Sequence, residues 1–208
     1  MRYVSKVLAA LLVLAVGYLA YGLFEVRRDL FTVYDVSDHY VYGPEDANLT
    51  IVDFSRYDCA PCRLLHPVLM EAVKKDAKVR YVSRTLAYGN EWEALLISAV
   101  YAAGEQGKFT EMHDIIHEKW PLEGRNDLFR YAREIGLDTK LLSRDMSKDN
   151  ISNQVIINQN YFEAWNLDRT PAILLGKSFI FTPRTQGLTV EALLEKFEAA
   201  RRKAGIVN

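Results

Sequence analysis

The two cysteines of the chain, Cys59 and Cys62, stand close together in the stretch IVDFSRYDCAPCRLLHP at 51–67. A pair with this spacing can form a structural staple, bind a metal ion, or exchange electrons with other thiols and disulfides. A staple across so short a loop adds little stability, because closing it removes few chain conformations. A zinc site needs further cysteine or histidine ligands nearby, and the chain has no second C-x-x-C. The spacing therefore favours thiol–disulfide chemistry.

The elements around the pair are expected to place the two sulfurs differently. The apolar and β-branched run Leu49–Phe54 predicts a buried strand, and the apolar spacing across 60–77 predicts a helix. Cys59 then lies at the first turn of the helix, where free backbone N–H groups and the helix dipole lower the pKa of its thiol. Cys62 lies one turn further along. It is expected to be more buried and protonated, as suits a cysteine that resolves a mixed disulfide.

Composition limits the class of protein. The 208 residues are 50% hydrophobic and 25% charged, which is enough to bury the core of one main domain. The formal net charge of -1, with both signs mixed along the chain, gives no basis for nucleic-acid binding. Two cysteines cannot build a disulfide scaffold, so we expect the fold to depend on its apolar core.

The N-terminal segment predicts a membrane anchor. Residues 7–24 carry no charge, and as a helix they would extend about 27 Å, enough to cross a hydrocarbon core. Arg2 and Lys6 favour a cytoplasmic N-terminus, which places the rest of the chain outside the cytoplasm. We therefore predict a signal anchor at 1–24, a tether at 25–47, and a single-pass protein of the bacterial inner membrane with its catalytic domain in the periplasm. Cleavage as a signal peptide, which would leave a soluble periplasmic protein, is the alternative, and a buried helix is a third.

The remaining pattern, at 48–208, predicts one α/β domain. A strand, a helix and a second strand form a parallel unit with a right-handed crossover, and strand character returns only near the end of the chain. In chain order, we expect the parallel unit at 49–86, an all-helical insertion at about 89–166, a hairpin at 171–182 with its turn at Gly176-Lys177-Ser178, and a helix at 189–203.

Several of these residues resemble those of one known family. Val52-Asp53-Phe54 followed by Cys59-Ala60-Pro61-Cys62 resembles the thioredoxin fold, and residues 42–203 as a whole resemble its DsbA-like branch. The match includes His66-Pro67 on the motif helix, an insertion with Phe109 and His113-Asp114, and Thr170-Pro171 before the hairpin. The resemblance implies an α/β thioredoxin fold with an all-helical insertion between its βαβ and ββα halves, here preceded by one N-terminal transmembrane helix.

The resemblance also implies a role for each matching position. Cys59 would be the attacking nucleophile and Cys62 the resolving cysteine of a redox-active disulfide. Thr170 and Pro171 would form the cis-proline loop, which offers its backbone to an extended substrate. Asp53 would be a buried acid that relays protons to the resolving cysteine. A carboxylate inside an apolar run is costly, which agrees with a functional role, and the alternative is a strand-end carboxylate facing solvent.

The implied activity is that of a protein thiol–disulfide oxidoreductase. It would oxidise, reduce or isomerise disulfides of extracytoplasmic proteins through a mixed disulfide at Cys59. Its partners would be cysteine-containing client proteins and a membrane redox partner that resets the active-site disulfide or dithiol, and no cofactor is expected. A non-enzymatic client-binding or chaperone module on the same fold is the alternative. A kappa-type transferase that uses glutathione is a further one, and Cys62 argues against it because such enzymes need no resolving cysteine.

Two positions depart from the DsbA-like pattern. Ala60-Pro61 stands where many DsbA-like oxidases carry a histidine, and it is closer to the Gly-Pro of thioredoxin. Without that donor the Cys59 thiolate is less stabilised, so the disulfide should be a weaker oxidant. Thr170 precedes the proline, as in some isomerase and reductase relatives. The direction of electron flow therefore stays open.

His113 and His117 pose the question of a metal site. They lie four residues apart, as in metal-binding H-E-x-x-H helices, with Asp114 in place of the glutamate. The sequence identifies no third ligand. We therefore predict that these histidines are partly buried or lie on a helix surface, and that the protein holds no metal.

Overall fold

A computed structural model of the protein describes residues 2–176, 179–183 and 187–206. The chain divides into two compact units, residues 1–35 and 36–208, and the first contains helix α1 at Arg2–Thr32. Among the helices of the described ranges, none combines the length and the apolar content of a membrane span. The predicted anchor at 1–24 is not confirmed and stays a prediction.

The second unit is built on a five-stranded sheet with the strand order β1-β3-β2-β4-β5. Strands β2 and β3 pair in parallel, and the other neighbouring strands pair antiparallel. The strands are β1 at Val41–Tyr42, β2 at Leu49–Phe54, β3 at Val79–Ser83, β4 at Ala172–Leu175 and β5 at Phe179–Phe181. β2 lies at the centre of the sheet and is buried on both faces, which is why it reads as an almost unbroken apolar run.

The helices surround this sheet in the order that the sequence predicts. They are α2 at Ala60–Asp76, α3 at Glu91–Gly104, α4 at Phe109–Lys119, α5 at Arg125–Glu134, α6 at Thr139–Asp145, α7 at Asp149–Ala164 and α8 at Val190–Lys203. β2, α2 and β3 form a βαβ half, β4, β5 and α8 form a ββα half, and α3 to α7 stand between them. The thioredoxin-like α/β fold class is thus confirmed.

Two apolar clusters hold the second unit together. One joins β2, β3 and β4 to α2 and α8, with Ile51, Leu69 and Phe197 fully buried. The other fills the helical insertion around residues such as Met112, and it also includes Tyr57, two residues before Cys59. The loop that leads to the cysteine pair is therefore held by the insertion as well as by the sheet.

Part of the predicted tether at 25–47 belongs to the second unit. Asp38–Tyr40 forms a short 3-10 helix, and β1 pairs with β3, so that Val41 lies opposite Val82. The Tyr40 ring packs against Tyr101 with centroids 4.9 Å apart. The folded domain thus begins near residue 36, earlier than the predicted 48. The predicted hairpin turn is described only at Gly176, because 177–178 lie outside the described residues.

Candidate active site

Cys59 and Cys62 form a disulfide at the start of α2. Cys59 is the N-cap residue, and its Sγ accepts a hydrogen bond from the backbone N–H of Cys62 at 3.2 Å. Cys59 is partly exposed, whereas only 2% of Cys62 is accessible to solvent. The helix start therefore presents one sulfur to other molecules and encloses the other, as the apolar spacing of α2 predicts.

The Thr170–Pro171 peptide bond is cis and lies beside the disulfide. The Thr170 carbonyl oxygen is 3.8 Å from Sγ of Cys59, and Phe54 pairs with Ala172 across β2 and β4. This pairing places the loop before β4 against the loop that leads to α2. The structure thus brings the cysteine pair, Cys59 and Cys62, next to Thr170 and Pro171, although the two pairs are far apart in the sequence.

Asp53 is buried on β2, with 2% of its surface exposed. Its Oδ2 accepts a hydrogen bond from the Tyr81 hydroxyl at 3.0 Å, and its Oδ1 has no partner among the described residues. Burial raises the pKa of Asp53 to about 6, while the charge of His66 and the Tyr81 hydrogen bond oppose the increase. The carboxyl group is therefore enclosed, and the alternative of a solvent-facing side chain at the strand end is excluded.

A chain of hydrogen bonds links Asp53 to the helical insertion. Because the Tyr81 hydroxyl donates to Asp53, its oxygen accepts from His113 Nε2, at 3.1 Å. With the proton on Nε2, the Nδ1 atom of His113 accepts from the Tyr57 hydroxyl at 2.9 Å. Every donor in the chain points toward Asp53, an arrangement that favours the carboxylate over the neutral acid.

The raised pKa of Asp53 predicts a pH-dependent stability. The folded protein binds the Asp53 proton more tightly than the unfolded chain does. The stability that this proton binding contributes is therefore present below pH 3.8 and is lost as the pH rises through about 6. Asp53→Asn should therefore raise the free energy of unfolding at pH 8 by up to about 3 kcal/mol, and change it little at pH 4. Urea unfolding across this pH range measures both values.

Glu93, a buried acid of α3 whose pKa is raised by burial to about 7, titrates in an overlapping range and provides the matched control. In Glu93→Gln the pH dependence due to Asp53 should persist, whereas in Asp53→Asn it should disappear. If Asp53→Asn stabilises the protein equally at pH 4 and pH 8, the stabilisation comes from packing of the amide. The predicted titration of a buried acid would then be wrong.

Glu93 itself is a site residue that the sequence analysis missed. It is fully buried in the first turn of α3, and its Oε2 accepts the backbone N–H of Tyr57 at 3.1 Å. Burial, together with the negative charge of Asp58, raises the pKa of Glu93 to about 7. Glu93 thus holds the loop before Cys59. No sequence signal marks it, because glutamate is common in the first turn of helices.

Three histidines meet behind α2, more deeply buried than the sequence predicts. His113 and His117 of α4 lie beside His66 of α2, and one ring nitrogen of each lies within 4.8 Å of the others. His66 Nε2 contacts Asp114 Oδ1 at 2.7 Å. The third histidine that the sequence could not identify is therefore present, and this group is the one among the described residues that could hold a metal ion.

Comparison with known proteins identifies the family. Residues 35–196 match the sequence model of the thioredoxin family. The Na(+)/H(+) antiporter NhaA 3 of Salinispora tropica is 33% identical over 119 residues, which are 56% of this chain and 18% of that protein, so the chain spans less than a fifth of the antiporter. Disulfide bond formation protein D of Bacillus subtilis is 23% identical over 154 residues, which are 67% of this chain and 68% of that protein.

A solved structure shares the fold over almost its whole length. The thiol-disulfide exchange protein alpha-DsbA2 of Wolbachia pipientis superposes with a TM-score of 0.72 at 14% identity, covering 84% of this chain and 95% of that one. At 14% identity the similarity shows only that the fold is shared. The C-x-x-C disulfide at the start of α2 is the feature that indicates thiol–disulfide chemistry. The chain belongs to the thioredoxin family, and its fold is similar to that of a DsbA-type thiol-disulfide exchange protein.

Proposed function

We propose that the protein exchanges disulfides with extracytoplasmic client proteins through a mixed disulfide at Cys59. The observation that carries this proposal is the asymmetry of the cysteine pair, in which Cys59 is partly exposed at the N-cap of α2 and Cys62 is buried. An incoming thiolate can reach the sulfur of Cys59 but not the enclosed sulfur of Cys62. The first attack therefore takes place at Cys59.

The oxidising direction runs in two exchanges. A client thiolate attacks Sγ of Cys59, the bond between Cys59 and Cys62 breaks, and its electron pair leaves on the Cys62 sulfur. A second client thiolate then attacks the client sulfur of the mixed disulfide and releases Cys59 as a thiolate. The client has lost two electrons and the enzyme has gained them. The same steps in reverse reduce a client disulfide, and a membrane redox partner takes up or supplies the electrons between cycles.

Asp53 is proposed to exchange the proton of Cys62 during these steps. The leaving sulfur of Cys62 is enclosed, so a proton has to reach it through the protein or a trapped water. A carboxyl group with a pKa of about 6 can both give and take a proton near neutral pH. The hydrogen-bond chain through Tyr81 supports this role, because it fixes the orientation of the Asp53 carboxylate.

The cis-proline loop is proposed to hold the client backbone. The Thr170 carbonyl group lies beside Cys59, where it can accept an N–H from an extended client segment. Leu64, two residues after Cys62, is 67% exposed and offers an apolar contact for that segment. A non-enzymatic client-binding module would use the same surface without forming covalent adducts. Capture of clients through Cys59 therefore tests the proposal.

The proposed site of action is the periplasmic side of the bacterial inner membrane, with α1 as a single-pass anchor. The large apolar side chains described between Leu11 and Phe24 are exposed, which is unfavourable in water and supports contact with lipid. Arg2 and Lys6 at the N-terminus support a cytoplasmic start. Stable disulfides in client proteins form and persist mainly outside the cytoplasm, which supports the same location.

A C-terminal fusion to alkaline phosphatase tests this topology. In a bacterium the fusion should be active, because the phosphatase folds only after export. The chain should also fractionate with membranes and resist extraction with alkaline carbonate. Release of a shortened, soluble chain would replace the anchor by a cleaved signal peptide, and an inactive fusion would overturn export itself.

A further inference from the structure

Three of the four histidines of the chain meet between α2 and α4. We propose that His66, His113 and His117 form a binding site for a divalent transition-metal ion of the zinc or copper class. The proposal depends on the histidine cluster alone and does not rest on the proposed redox function.

Unpartnered ring nitrogens are the first observation. Among the described residues, neither ring nitrogen of His117 has a hydrogen-bond partner, and neither does Nδ1 of His66. Both side chains are buried, with 6% of His117 and 5% of His66 exposed. Buried polar atoms in folded proteins are almost always paired with protein, water or a ligand, so three unpaired nitrogens in one place mark a position where a metal ion can bind.

The tautomer of His66 is the second observation. Its Nε2 contacts Asp114 Oδ1 at 2.7 Å, so in the neutral ring, the form that binds metals, the proton lies on Nε2 and the lone pair on Nδ1. Histidines that bind metals commonly donate their other N–H to a carboxylate in this manner, which fixes the ring and makes the ligating nitrogen more basic. The free atom is the buried Nδ1 that has no partner in the described structure.

Binding requires defined movements of the other two rings. The His117 ring is stacked on His66, with centroids 4.1 Å apart and planes 14° apart, so the two lone pairs do not yet converge. No hydrogen bond within the described residues holds His117, so a turn of its ring breaks none. The lone pair of His113 is on Nδ1, which accepts from the Tyr57 hydroxyl, so His113 completes the set when that hydroxyl turns away.

A solvent path and the ligand type decide which ion fits. A cavity of about 400 Å³ is lined by His66 and His117 together with Asp114 and Glu118, and it leads from the surface to the cluster. Arg63 and Lys74 also line the cavity, so its charge is mixed. Three imidazole nitrogens with a remaining open position are typical of zinc and copper, whereas calcium and magnesium prefer oxygen ligands.

Zinc titration of the full-length protein tests the site. The protein is purified with the Cys59–Cys62 disulfide intact, so that no thiolate can bind metal, and is titrated with zinc chloride alone. We expect a single equivalent of zinc to bind and to remain after dialysis. His117→Gln should weaken binding by at least about a hundredfold, since losing a ligand exceeds the effect of losing its supporting group. His39→Gln, which changes the exposed histidine outside the cluster, is the matched control and should bind as the wild type does.

A measurement on the wild type covers the case in which His117→Gln fails to fold. With nitrogen-15 in the imidazole rings, zinc should shift the NMR signals of His66, His113 and His117 and leave those of His39 in place. Failure of the wild type to retain zinc would overturn the site and assign the unpaired nitrogens to ordered water. Unchanged affinity in folded His117→Gln, or loss of binding in His39→Gln, would overturn it equally.

Discussion

Cys62→Ser should accumulate client proteins as stable mixed disulfides on Cys59. Cys59 is the partly exposed member of the pair, so a client sulfur can bond to it, and a serine at 62 cannot displace that client afterwards. Cells that express the variant should show adducts of high mass on gels run without reductant. These bands should disappear when the sample is reduced.

Cys59→Ser is the matched variant, since it also leaves a single cysteine in the same motif. Cys62 is only 2% exposed, and a thiol that is buried in apolar surroundings stays protonated. We therefore expect at least about tenfold fewer adducts than with Cys62→Ser. Trapping to the same extent by both variants would contradict the assigned order of attack. Absence of adducts from both would favour the client-binding module.

Much of the scaffold of this site is predictable because its signals are local. β2 is found at the predicted Leu49–Phe54, since a strand buried on both faces needs apolar residues at successive positions. α8 begins after Thr189, whose hydroxyl accepts the N–H of Ala192 at 3.2 Å, as expected of an N-cap. The placement of Cys59 at a helix start follows from the same local patterns.

Extended segments that depend on distant partners are less predictable. β1 has two residues, too few for a periodic pattern, and it forms because β3 supplies its hydrogen bonds. β3 ends at Ser83, although the apolar pattern predicts a strand to Leu86. The N–H groups of Arg84 and Leu86 still bond to the carbonyls of Asp53 and Ser55, both at 2.9 Å, so the buried chain continues as loop.

The inner part of the site could not be derived from the sequence because packing between helices assembles it. His66 and Asp114 are 48 residues apart, and they meet where α2 lies beside α4. Glu93 reaches the backbone of Tyr57 from α3, at a sequence separation of 36. No spacing rule links such positions. The sequence shows the H-x-x-x-H pair on α4 and gives no sign of the third histidine.

The reduction potential of the cysteine pair should lie nearer to that of thioredoxin than to that of DsbA, within the interval from about −270 to −120 mV. The helix start stabilises the Cys59 thiolate, but within the described residues its sulfur receives one hydrogen bond, from the N–H of Cys62. Ala60 has no side-chain donor, and Pro61 has no N–H to give.

Substitutions at Pro61 measure the effect of the missing donor. Each unit by which the pKa of Cys59 falls stabilises the reduced form by about 1.4 kcal/mol, which raises the potential by about 30 mV. Pro61→His should therefore raise the potential by tens of mV, on the order of 30 to 60 mV for a pKa lower by one or two units. Pro61→Ala restores only the backbone N–H, so the difference between the two variants isolates the imidazole.

Equilibration of the full-length protein with glutathione buffers gives these potentials directly. A wild-type value above about −150 mV would place the protein with the strong oxidases and contradict the inference from Ala60 and Pro61. A value near −250 mV would mean that it reduces or reshuffles wrong disulfides when a partner keeps it reduced. In that case Cys59 would react with clients mainly as a thiolate. The membrane redox partner would then have to supply electrons, and the direction of flow would follow from the two residues between the cysteines.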